Sequence, residues 1–265
     1  MKLSAYLDGI GVLGPGLANW PEAAQTLMGE RAYSASATVL PTPGMLPPAE
    51  RRRTGRVVKL ALAVALEATT AAASDLQKLA SVFSSSGSDG HICHEICQAL
   101  AEPAREVSPT RFSNSVHNAS AGYWNIGTGA MTESNVLCAF DASFVAGLLE
   151  AMTQTAVDKS SVLLVAYDTE YPPPLHAKRP IPDAFGIAMV FSPERSARSI
   201  ARMEVSLTDD PAEPLSDPGM EALRRAIPAA RGLPLLRLLA SRTAGDCMLD
   251  YLDVARAAVR VEPCL

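Results

Sequence analysis

The residues best placed to do chemistry lie close together in the chain: His117, Cys138, Asp141 and Ser143. Asp141 stands where a short apolar run of strand length, Asn135 to Phe140, gives way to the apolar helical stretch Phe144 to Met152. A strand feeding directly into a helix is where α/β enzymes commonly hold a nucleophile, because the helix N-terminus favours an anion. Cys138 lies within the apolar run, three residues early, so its thiol is expected to point into packing and to be inert. Ser143, His117 and Asp141 can be drawn as a hydrolase triad, but nothing around them matches the G-x-S-x-G elbow.

Two other clusters invite chemistry and are better read as structure. His91, Cys93, His94 and Cys97 suggest a metal, with His94 and Cys97 on one helical face. One helix seldom presents four tetrahedral ligands, and no second ligand pair follows at finger spacing, so no metal is expected. Gly9, Gly11, Gly14 and Gly16 do not have the dinucleotide spacing, and Pro15 removes a backbone donor, which leaves a strand and a turn.

The elements that must position these residues follow from periodicity. Leu3 to Leu13 reads as a first strand. The stretch from Tyr33 to Pro48, with four prolines, reads as a surface loop. Arg51, Arg52, Arg53 and Arg56 then head a helix with Val57, Leu60, Ala61, Val64, Ala65 and Ala68 at helical spacing, whose alanines allow close approach to a sheet. Ser81 to Ser86 reads as a strand ending in Gly87-Ser88-Asp89-Gly90, and His91 to Leu100 as a helix. Val162 to Tyr167 and Ile187 to Phe191 are apolar throughout, as in strands covered on both faces. The proline-rich segment Tyr171 to Pro182, with Lys178 and Arg179, reads as a loop able to fold over a partner. Later come a strand around Met203 to Leu207, helical pieces at Met220 to Ile227 and Leu235 to Leu239, and a half-exposed strand at Val254 to Val261.

The chain has 265 residues, enough for one large α/β domain, and a net charge of -5, which argues against a nucleic-acid surface. Five cysteines form an odd set, three of them in apolar surroundings, and read as reduced thiols in a cytoplasmic protein. No apolar span is long enough for a transmembrane helix, and with only Lys2 as a leading charge and Asp8 interrupting its apolar run the N-terminus reads as a poor signal peptide.

The stretch from Ser108 to Phe144 carries SPTRF, NSVHN and AGYW in that order, then a Gly-containing loop and the strand-to-helix junction. With PPAERRRTGRVVKLALAVALEA, Pro47 to Ala68, it resembles the N-terminal half of a β-ketoacyl synthase, specifically the chain-length-factor relatives of aryl-polyene and other type II polyketide systems. The resemblance implies an α/β fold: a thiolase-like half with a mixed five-stranded sheet covered by helices over residues 1–193. A short C-terminal α+β extension, 194–265, would complete the same domain. The family's nucleophilic cysteine position falls on Asp141, and no histidine follows His176 where a second half would supply them. The implied function is a non-catalytic subunit that pairs with a complete β-ketoacyl-ACP synthase and shapes its acyl tunnel; the alternative is a divergent acyl-transferring or condensing enzyme using another residue. No cofactor is implied. His117 is given a place in a helix, and Asn114, His117 and Asn118 are expected to form hydrogen bonds within the fold or across an interface. Ser88, Asp89, His91, Phe112, Val136, Phe140 and Asp141 complete the tunnel and partner surface, the small residues of Gly87 to His91 leaving the tunnel end open. Arg51, Arg52, Arg53 and Arg56 would dock the acidic acyl carrier protein.

Overall fold

The computed structural model describes residues 2–264. In chain order the elements are β1 (Lys2–Leu13), α1 (Trp20–Leu27), α2 (Pro48–Arg51), α3 (Arg56–Ala72), β2 (Ala80–Ser84), α4 (Gly90–Ala101), α5 (Pro109–Asn114), α6 (Ala119–Thr128) and β3 (Ser134–Leu137). Then follow α7 (Ser143–Asp158), β4 (Val162–Asp168), β5 (Phe185–Ser192), β6 (Ala201–Thr208), α8 (Pro218–Ala226), α9 (Leu233–Ser241), β7 (Gly245–Leu252) and β8 (Ala255–Pro263).

One sheet has the order β3-β2-β4-β5-β1-β6-β8-β7. Its first five strands form the mixed sheet expected: β2 runs parallel to β3 and β4, while β5 is antiparallel to β4 and β1. The all-apolar strands sit where the sheet is covered on both faces, and every residue of β4 is buried. β6, β8 and β7 are antiparallel and extend the same sheet beyond β1. β7 was not anticipated above, although Cys247, Leu249 and Tyr251 alternate with Asp246, Met248 and Asp250 at the period of a strand.

Two cores lie on the two faces. α3 and α6 cover one, around Leu60, Val64, Phe83 and Trp124. α7, α8 and α9 cover the other, around Leu148, Phe144, Met189, Leu223 and Leu236. α3 reaches the sheet closely because β1 carries glycines beneath it: a Cβ on Gly9 would sit 2.1 Å from the Ala68 carbonyl oxygen, and one on Gly11 2.1 Å from that of Val64. The glycines of the first strand therefore serve helix packing. The strand expected over Asn135 to Phe140 stops at Leu137, and Phe140–Ala142 forms a 3-10 turn that runs into α7.

Candidate functional site

β2, β3 and β4 are parallel, so their C-terminal ends lie side by side, and the chain-end chemistry collects there. At the end of β3, Phe140 adopts φ 51°, a left-handed conformation unusual for a bulky residue, and its side chain remains 62% exposed. The Arg179 guanidinium stacks on its ring, 3.9 Å from the centroid. The same guanidinium reaches the Asp141 carboxylate at 2.7 Å, and Arg231 reaches the other carboxylate oxygen at 3.2 Å. Asp141 is thus held between two cations brought from the proline-rich loop and from the 3-10 segment Pro228–Gly232.

Ser143 is buried and engaged with backbone: its hydroxyl accepts from Ala139 N at 3.0 Å and donates to the Phe140 carbonyl at 2.7 Å. It closes the turn into α7, and its lone pair is not presented to a substrate. Cys138 contradicts the expectation of a packed thiol: it is exposed, its Sγ 3.4 Å from the Ser86 carbonyl, because β3 ends one residue earlier and releases it from the sheet. Cys93 and Cys97 are also exposed, while Cys247 and Cys264 are half-buried, so the apolar surroundings expected for three cysteines exist mainly for Cys247, whose thiol burial pushes up to about 12. Among the described residues no group of His, Cys, Asp and Glu is arranged to hold a metal.

Behind Asp141 lies a second carboxylate. Asp168 ends β4, fully covered, and accepts from Ser86 Oγ at 2.6 Å, Ser86 N at 2.9 Å and Ala229 N at 2.8 Å. Burial pushes its acid up to about 6, against the pull of these donors and of Arg179. Asp168 ties the end of β2 to the end of β4 and to the 3-10 segment that carries Arg231.

The other expected residues form a neighbouring group. Ser88 Oγ donates to the Ser115 carbonyl at 2.9 Å, and Asp89 caps α4 by accepting from Ile92 N at 3.0 Å. Asn114 is buried between Tyr123, whose hydroxyl donates to it at 3.0 Å, and the Arg53 carbonyl, to which it donates at 2.9 Å. His117 lies in the turn between α5 and α6 and not in a helix as expected, because α5 ends at Asn114. Burial lowers its imidazole below the usual range, with the Ser85 backbone opposing. Ser88, Asp89, Asn114 and His117 line one small cavity with Tyr167 and Ser120. Asn118 is exposed, and His91 approaches Glu170 at 3.9 Å.

Within this chain the two glycines of the Gly87 to His91 loop are packed against a side chain. A Cβ on Gly90 would lie 1.9 Å from Tyr171 Cδ1 and one on Gly87 2.1 Å from its hydroxyl oxygen, so the glycines seat the Tyr171 ring. Phe112 is 66% exposed on α5, and Val136 is half-buried on the edge strand β3. Of the arginines, Arg53 pairs with Glu50 at 3.1 Å, Arg56 with Glu170 at 2.6 Å and Asp183 at 3.5 Å, and Arg51 donates to the Leu46 carbonyl. Sequence reasoning missed Asp168, Ser86 and Arg231. An acid closing the otherwise apolar run VLLVAYD was a signal for the first; nothing in the chain marks Arg231.

The fold is the thiolase-like ketosynthase fold, with a carboxylate clamped by arginines at its strand-to-helix junction. The chain belongs to the family described as “Beta-ketoacyl synthase, N-terminal domain”, whose profile matches residues 19–244. Among solved structures it resembles the ketosynthase ApeO in complex with its chain length factor ApeC from Xenorhabdus doucetiae, with TM-score 0.74 and 22% identity over 97% of this chain and 99% of that one. It also resembles the ishigamide ketosynthase/chain length factor, with TM-score 0.76 and 13% identity over 99% of this chain and 100% of that one. A β-ketoacyl synthase from Burkholderia phymatum STM815 aligns with TM-score 0.72 and 12% identity over 100% of each chain. No curated protein matches the chain.

Proposed function

We propose that this chain is a non-catalytic chain-length-factor subunit that pairs with a complete β-ketoacyl-ACP synthase and shapes its acyl tunnel in aryl-polyene, polyketide or fatty-acid-type biosynthesis. The observation that carries this reading is the junction itself. Where the family holds its nucleophile, Asp141 is committed to Arg179 and Arg231, and an ion-paired carboxylate has neither the lone-pair availability nor the product stability that acyl transfer needs. The structures it resembles include ketosynthase and chain-length-factor complexes, which supports the choice of partner.

The surface around β3 suits an interface. β3 is a sheet edge with unpaired backbone groups on its outer side, and an edge left bare invites strand addition. Phe140 and Phe112 expose large rings there and on α5; Ser88, Asp89 and His91 lie at the start of α4, and Asn114, His117 and Asn118 at the end of α5 and in the turn after it. Arg51, Arg52, Arg53 and Arg56 would meet the acyl carrier protein. Arg51 and Arg52 have no ion pair among the described residues, and Arg52, exposed, has the most charge to offer, since Arg51 is half-buried and Arg53 and Arg56 are partly neutralised within the chain.

Co-expression with a complete ketosynthase followed by size-exclusion chromatography tests the pairing. A stable heteromeric complex is expected, and Val136→Lys, which places a charge on the edge strand, should abolish it without unfolding the chain. The purified subunit should not become acylated by malonyl- or acyl-carrier protein. The exposure of Cys138 favours the competing reading of a divergent acyl-transferring enzyme, so a stable acyl adduct mapped to Cys138 would replace the proposal with that one.

A further inference from the structure

One sizeable cavity in the described structure takes no part in the junction. It has a volume of about 690 Å³ and lies between α3, the end of β1, the residues leading into α1, and the segment from Val39 to Met45. Cavities of about 300–1,000 Å³ are the usual size of small-molecule sites, whereas close-packed interiors leave few voids larger than a water. The segment that forms its outer wall is anchored at both ends. Thr38 N donates to Asp183 at 2.7 Å and Thr38 Oγ1 to the Ala184 carbonyl at 2.9 Å, while Leu46 is buried in the core.

α3 lends the cavity one long stripe. Lys59, Leu62, Ala63, Leu66, Glu67, Thr70 and Ala71 line it at helical spacing, a length of about 18 Å at 1.5 Å per residue. An elongated trough of this kind suits a linear chain better than a compact ring. Its two charged residues are not equivalent. Glu67 is already satisfied, accepting from Val12 N at 2.9 Å and Trp20 N at 2.6 Å, and so serves to pin the wall. Lys59, two turns away, is half-buried and has no ion pair or hydrogen bond among the described residues. A long ammonium side chain that lies along apolar surface and keeps its head unpaired is a receptor for an anion at the mouth. Val39, largely exposed, and Leu66, 41% exposed, add apolar surface that a ligand would cover.

We propose that this cavity binds a linear amphiphile with a carboxylate head, of the medium-chain fatty-acid class, its carboxylate at Lys59 and its tail along Leu62, Ala63 and Leu66. The site is separate from the junction, and the assignment does not depend on the subunit's role there.

Isothermal titration of the full chain with decanoate and with decanol, both kept below the concentrations at which they self-associate, tests the proposal. Decanoate should bind saturably and more tightly than decanol. Lys59→Met should weaken decanoate about two- to fivefold and leave decanol unchanged, as expected for loss of one partly exposed ion pair. Ala63→Phe, which fills the trough, should weaken both ligands. Should Ala63→Phe fail to fold by circular dichroism, Trp20 supplies a second reading: decanoate should alter the fluorescence of the native chain, and the change should vanish in Trp20→Phe. Absence of saturable binding, equal affinity for decanoate and decanol, or a decanoate affinity indifferent to Lys59→Met would each overturn the assignment.

Discussion

Asp141 and Asp168 are both carboxylates in the layer formed by the C-terminal ends of parallel strands, and their surroundings make them opposites. Asp168 is 4% exposed and is satisfied by neutral donors, two backbone N–H groups and the Ser86 hydroxyl. Asp141 has a side chain 40% exposed and is satisfied by two guanidinium groups. The first carboxylate joins the ends of two paired strands to a third, distant segment of backbone. The second holds long, mobile side chains in place at a surface. Arg179 connects them, since it pairs with Asp141 and also lowers the acid of Asp168 from a distance. A carboxylate that ties backbone together and one that holds charged side chains at a surface are therefore told apart by the kind of donor they meet and by burial.

The sharpest test is to remove each in turn. Asp168→Ala leaves the buried N–H groups of Ser86 and Ala229 without an acceptor, and should cost about 2–4 kcal/mol in denaturant unfolding. A loss as small as that for a surface pair would break the comparison.

The pH dependence of stability separates the two next. The Asp168 acid is raised from 3.8 to about 6, so the folded state keeps a proton that the unfolded chain has already released. That contribution is complete below 3.8 and is lost as pH rises to about 6, an amount of about 3 kcal/mol at most. Glu67 and Asp89 are shifted in the same direction by burial and add to the trend. Glu221, lowered to about 2 chiefly by its bonds to Arg224, acts oppositely: its contribution is present above 4.5 and lost toward pH 2, outside the window from 4.5 to 6. Wild type should become less stable between pH 4.5 and 6, and Asp168→Asn should flatten the curve there.

Asp141→Ala should change stability by less than about 1 kcal/mol, as expected for half-exposed ion pairs. Its effect should appear in assembly, since Arg179 then loses the anchor that holds it over Phe140. A complex of undiminished strength would show that Asp141 has no part at the interface. The smallest effect expected is that of Asp141→Cys, which should restore no condensation activity to the isolated chain. Arg179 and Arg231 hold an anion there but supply no base to activate a thiol, and detectable turnover would show that the junction is catalytically intact.

The sequence by itself determined the layering of this protein. Apolar runs without alternation, VLLVAYD and IAMVF, dictated strands buried on both faces, and Val57, Leu60, Ala61 and Val64 dictated the helix over them, because burial follows periodicity. SPTRF, NSVHN and AGYW placed the family, and the apolar run giving way to a helical stretch marked Asp141 at the junction. Local pattern was also enough for β7, whose alternation went unread. What only the tertiary structure decided were the partners drawn from distant segments: Arg179 and Arg231 on Asp141, Ser86 and Ala229 on Asp168, and Tyr171 over Gly87 and Gly90. These contacts join residues far apart in the chain, and no spacing records them. Cys138 shows the same limit at short range. One residue separates a packed strand position from an exposed turn, and that difference was set where β3 loses its pairing with β2, not by the apolar run in which the cysteine stands.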